Sequence, residues 1–243
     1  MGPAGAAFGG GGGAGASGGP PMTDAPSLSH VHRFEPGTDP ARPPLLLLHG
    51  TGGDEDDLLP LGRLLAPGAA LLSPRGKVQE HGMPRFFRRL AEGVFDEADV
   101  RRRAAELADF VAEARGTYGL AAPVAVGFSN GANIAAAVML LRPDALAGAV
   151  LLRAMPPLPD LPPGDPRALA GKPVLLLSGA MDPMVPAAAA VRLAAMLEGA
   201  GAVVRHRTLS AGHGLSQADA DLAKEWIDRL SGNNSNQGSL RCN

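Results

Sequence analysis

The chain has 243 residues, 45% of them hydrophobic and 4% aromatic, so one large domain is accommodated and Leu, Ala and Val must fill its core. The formal net charge of −2 supplies no basic field for nucleic acid or an anionic membrane, which argues against nucleic acid as a partner. The single cysteine, Cys242, leaves no intrachain disulfide or cysteine metal site and suits a cytoplasmic protein.

Residues 1–21 are nearly all Gly, Ala and Pro, with neither the basic start nor the apolar stretch of a signal peptide, and are expected to be a disordered tail. Residues 22–231 are expected to form the domain, and residues 232–243 (GNNSNQGSLRCN) a second disordered, polar tail. No apolar run is long enough to span a membrane. Ser29–Phe34 alternates and reads as an edge strand. From Pro43 onward, short apolar runs alternate with segments of helical period, which predicts an α/β fold with a mostly parallel sheet and helices on both faces. The predicted strands are Leu45–His49, Ala69–Ser73, Val124–Phe128, Ala149–Leu152, Val174–Ser178 and Val203–Leu209. Val100, Ala104, Leu107, Val111 and Ala114 form one apolar helical stripe, and further helices follow Asp54, Asn130, Pro186 and Leu215. The Pro-rich stretch Pro156–Pro173 reads as a surface loop.

Gly127-Phe-Ser-Asn-Gly131 fits G-x-S-x-G between a strand and an Ala-rich helix, a setting in which a serine is held on a tight turn with its hydroxyl projecting from the sheet. Ser129 is therefore the candidate nucleophile. A serine hydroxyl needs a base oriented by an acid. His213, between Gly212 and Gly214 after the last strand, is the candidate base; His206 lies within a strand and the other histidines precede Ser129. Asp182 directly follows a strand and is the candidate acid, whereas its rivals Asp160 and Asp165 sit in the Pro-rich loop. The backbone N–H groups of Asn130 and of Thr51, in the turn His49-Gly-Thr-Gly-Gly53, are the candidate oxyanion donors. That turn lacks the lysine of a phosphate-binding loop. The acidic run Asp54–Asp57 is expected to favour a helix N-terminus rather than hold a cation.

The segments LLLLHGTGGDEDDLLPL, SPRGKVQEHGMPRFFRRLAEGVFDEADV, GFSNGANIA, SGAMDPMVP and SAGHGLS resemble the phospholipase/carboxylesterase family of α/β-hydrolases, over about residues 43–230. The resemblance implies the α/β-hydrolase fold and Ser129, Asp182 and His213 as nucleophile, acid and base, with Thr51 and Asn130 at the oxyanion. It implies no cofactor or metal, a small-molecule ester as substrate, and compatibility with a homodimer. Asn130 stands where Gln is common in the family, a change that leaves the backbone N–H in place. Substrate choice is expected in the loop Ser73–Phe95, with Met83, Phe86 and Phe87 as substrate-binding residues; Phe95 is a further apolar group there, and Arg85, Arg88 and Arg89 are cations that could meet an anionic group. The expected activity is serine carboxylesterase action on short- to medium-chain acyl esters. The alternatives are an acyl thioesterase or lysophospholipase with the same triad, and a non-catalytic ligand-binding module of the same fold.

Overall fold

The computed structural model describes residues 28–160, 165 and 167–238; the N-terminal tail, residues 239–243 and Cys242 lie outside the described residues. A seven-stranded sheet forms the centre, in the order β1 (His32–Glu35), β3 (Leu71–Pro74), β2 (Leu45–Leu48), β8 (Val124–Phe128), β9 (Gly148–Leu152), β10 (Pro173–Gly179) and β11 (Val203–Leu209). Only β1 runs antiparallel to its neighbour. β2 is Leu-Leu-Leu-Leu and fully buried, as a central parallel strand covered on both faces must be. Alternation along it divides the core: Leu46 and Leu48 face the helices α2 (Glu97–Tyr118), α3 (Asn130–Leu141) and α4 (Ala187–Gly199), while Leu45 and Leu47 face α1 (Leu59–Leu65) and α5 (Gln217–Gly238).

Strand order reverses between β2 and β8, because the chain moves outward to β3 from one and to β9 from the other. A crevice at such a switch point, beyond the carboxyl ends of the strands, is where α/β sheets place ligands. α2 begins at Asp96, whose carboxylate accepts from the Asp99 N–H at 3.1 Å, and ends at Gly119 in the left-handed region (φ 68°). The predicted stripe Val100, Ala104, Leu107, Val111 and Ala114 is buried.

Two expectations are corrected. The stretch after Ser73, read as one long connection, contains two hairpins: β4 (Val78–Glu80) with β5 (Met83–Arg85), and β6 (Arg89–Ala91) with β7 (Val94–Phe95). Their turns carry His81 (φ 51°), Gly82 (φ 81°) and Gly93 (φ 70°), the left-handed conformations that tight hairpins require. The last helix runs from Gln217 through Gly238; no proline interrupts it, and Gly232 alone does not stop it. The acidic run does not cap α1, whose first turn has no acidic residue. Glu55 pairs with Arg75, Asp56 pairs with Arg33, and Asp54 accepts from the Asp56 N–H, so these charges close the turn that precedes the helix.

Candidate active site

Ser129 lies between β8 and α3 at φ 51° and ψ −114°, a backbone conformation strained for any side chain. The close crossing of strand and helix sets the need for glycine on either side. A Cβ on Gly131 would come within 1.9 Å of the Leu48 carbonyl oxygen, and one on Gly127 within 2.5 Å of the Gly131 oxygen. The Ser129 N–H donates to Leu152 O at 2.8 Å, which ties the turn to β9.

His213 Nε2 lies 3.0 Å from Ser129 Oγ, and His213 Nδ1 lies 2.9 Å from Asp182 Oδ2. Three segments distant in sequence meet here: the β8–α3 turn, the β10–α4 loop and the β11–α5 loop. The Asp182 carboxylate is fully buried and its Oδ1 also accepts the N–H groups of Met184 (2.8 Å) and Val185 (3.1 Å). Those bonds set the plane of the carboxylate. The Phe128 ring sits 5.3 Å from the imidazole.

Thr51, Ser129, Asn130 and His213 line one cavity of about 30 Å³. The Asn130 N–H, first in α3, has no acceptor one turn back along the helix. The turn carrying Thr51 is braced from several sides. Arg85 Nη1 donates to Thr51 Oγ1 at 2.9 Å, and the Gly52 N–H donates to Pro84 O at 3.0 Å. His49 Nε2 accepts from the Gly76 N–H at 3.0 Å, so its proton is on Nδ1, bonded to Gly50 O at 2.6 Å. Burial pushes the pKa of that imidazole down, against the bond to Gly50.

The substrate-binding expectations divide. Phe86 and Phe87 are buried core residues, packed against His49 (ring centroids 4.7 Å) and Phe95 (5.0 Å), and neither lines the cavity. Met83 is partly exposed beside Gly52 and is also absent from the cavity wall. Phe95, Arg85 and Arg89 do line it. Both arginines are already paired, Arg85 with Glu80 and Arg89 with Glu80 and Glu92, and the exposed Arg88 pairs with Asp96. Burial pushes the Arg85 pKa down and Glu80 opposes it. The wall thus carries little unbalanced positive charge for an anion.

Two side-chain roles in α3 were not foreseen from the sequence. Asn130 Oδ1 accepts from the Phe86 N–H at 2.7 Å, and Asn133 Oδ1 accepts from the Met155 N–H at 2.9 Å. Two asparagines one turn apart in an otherwise apolar helix were the available signal. Met155, Met184, Val185 and Arg153 also line the cavity. Among the described residues no group of His, Cys, Asp or Glu side chains could hold a metal ion, and no helix is long and apolar enough to cross a membrane.

A mostly parallel sheet flanked by helices, with Ser129 on the β8–α3 turn, defines an α/β-hydrolase. The model of the Phospholipase/Carboxylesterase family matches residues 30–231, and the chain belongs to that family. It is 45% identical over 197 residues to MhqD of Bacillus subtilis (strain 168), described as a hydrolase, covering 80% of this chain and 96% of that one. The Bacillus cereus carboxylesterase structure superposes with a TM-score of 0.79 at 45% identity, over 83% of this chain and 94% of that one. A Mesorhizobium loti carboxylesterase superposes with a TM-score of 0.77 at 34% identity, over 86% of this chain and 98% of that one. Family membership and a hydrolase relative support an enzymatic hydrolase.

Proposed function

We propose that the protein is a serine carboxylesterase that hydrolyses short- to medium-chain acyl esters through an acyl-enzyme. The observation that carries this reading is the continuous hydrogen-bonded chain from Asp182 through His213 to Ser129. His213 donates its Nδ1–H to Asp182, which leaves Nε2 to take the Ser129 proton as Oγ attacks the ester carbonyl. The developing oxyanion lies against the N–H groups of Thr51 and Asn130. The tetrahedral adduct collapses, His213 protonates the leaving alcohol, and water then attacks the acyl-serine by the same proton path.

The cavity of about 30 Å³ favours a small acyl group. An open groove of about 470 Å³ shares Gly93, Phe95 and Met155 with it and continues along Pro156–Pro159 and Ala188–Ala189, which gives room for the rest of an apolar ester. The pairing of Arg85 and Arg89 with carboxylates argues for an uncharged substrate. The test is hydrolysis of a p-nitrophenyl ester series by the wild type, by Ser129→Ala and by His213→Ala. Each substitution is expected to remove nearly all turnover while circular dichroism reports an intact fold. Retained turnover in Ser129→Ala would move the nucleophile elsewhere. Running the same acyl groups as thioesters separates an esterase from a thioesterase.

A further inference from the structure

Arg153 stands at the end of β9 and is fully buried, yet it adopts φ 56°, a left-handed conformation that arginine seldom takes. Its five N–H donors are all used. Nε donates to Gly212 O at 2.8 Å, Nη1 to Leu177 O at 3.4 Å and Asp219 Oδ1 at 2.7 Å, and Nη2 to Gly214 O at 3.2 Å and Asp219 Oδ2 at 2.8 Å. The two glycine carbonyls flank His213 on either side. Asp219 is itself fixed at the start of α5, where its Oδ2 accepts both the N–H and the hydroxyl of Ser216 at 2.8 Å.

We propose that Arg153, locked by Asp219, is a positioning residue that holds the His213 loop so that the imidazole stays between Asp182 and Ser129. Glycines at 212 and 214 give that loop freedom, and the guanidinium removes it by gripping both of their carbonyls. Only arginine offers enough rigidly placed donors: the three of lysine, on a flexible stem, cannot span two carbonyls and a bidentate carboxylate. A purely structural buried pair would need neither the strained backbone nor the two bonds to the base-bearing loop. The inference rests on the reading of His213 as the base.

The experiment compares wild type, Arg153→Lys and Asp219→Asn. The readouts are kcat and KM for p-nitrophenyl acetate per folded molecule, and the low-field proton resonance of the His213 Nδ1–H. The wild type is expected to hydrolyse the ester and to show the resonance. Arg153→Lys is expected to lose on the order of 10- to 100-fold in kcat, the scale of a roughly 1 Å misplacement, with KM little changed and the resonance broadened or lost. Asp219→Asn keeps the guanidinium but loosens it, so a smaller kcat loss with the same KM pattern is expected; it decides the matter if Arg153→Lys does not fold. Wild-type kcat per folded molecule with an unaltered resonance, or a change in KM alone, would overturn the inference while leaving the esterase reading in place. An inactive wild type would overturn both.

Discussion

At the scale of single residues the account rests on Ser129, His213 and Asp182, and on the glycines that let the first of them stand where it does. Replacing Gly131 by Ala should be among the most damaging small substitutions in the chain, because its Cβ would lie 1.9 Å from a backbone oxygen of the central strand β2. Neither backbone can yield cheaply, so a loss of about 3 kcal/mol or more is expected, read as failure to fold or a large fall in the unfolding midpoint. Asp182→Asn should leave the fold intact, since the amide oxygen can still accept from Met184 and Val185, yet lower kcat by about 10³- to 10⁴-fold. That these three side chains come together was legible in the sequence because each follows a recognisable strand, and strand ends in this class of sheet meet in space. Phe86 and Phe87 were not: aromatic side chains among arginines look alike in sequence whether they face a ligand or the core. Arg153 was also hidden, because nothing around one arginine after a strand announces five buried bonds.

At the scale of elements, the two hairpins between β3 and α2 form a wall beside the turn that carries Thr51. Strands of two or three residues carry no readable period, so only their turn residues, His81-Gly82 and Glu92-Gly93, hinted at them. The wall is pinned to α3 through Asn130, whose side-chain oxygen satisfies the buried Phe86 N–H. Asn130→Ala keeps the backbone N–H proposed for the oxyanion but leaves that donor without a partner. A stability loss of about 1–3 kcal/mol in urea unfolding is expected, with a fall in kcat far smaller than that of Ser129→Ala. A kcat loss equal to that of Ser129→Ala would mean that the side chain, not the backbone, serves the reaction. The strong periodicity of α2 and the buried leucines of β2 made those elements legible, whereas the reach of α5 to Gly238 was not, since a polar segment without proline gives no clear stop.

At the scale of the whole molecule, alternating strands and helices in the sequence indicated the α/β class, but not the order of strands, which depends on pairings distant in the chain. One consequence of the assembled fold concerns pH. Burial, with Lys77, Arg103 and His32 adding to it, lowers the His30 pKa to about 3, and burial lowers that of His49 as well. In the unfolded chain both imidazoles take up protons below about pH 6.5, while in the fold they stay neutral. Their contribution to stability is therefore complete above that pH and is lost progressively below it, for His30 down to about pH 3. Asp219 adds to the acid side of this loss: burial raises its pKa, but the bonds from Arg153 and Ser216 outweigh that and hold it below the usual carboxylate range. Urea midpoints should fall between pH 7.5 and pH 5, and His30→Phe should reduce the fall. An equal fall in that variant would show that His30 does not titrate with unfolding.

The central claim is that one hydroxyl, at Ser129, is made reactive by its neighbours. The most direct measurement is treatment of the folded protein with a fluorophosphonate, followed by intact mass and peptide mapping. One adduct per chain is expected, located on Ser129, absent in Ser129→Ala and formed much more slowly in His213→Ala. A folded wild type that takes up no label, or carries it on another residue, would contradict the account.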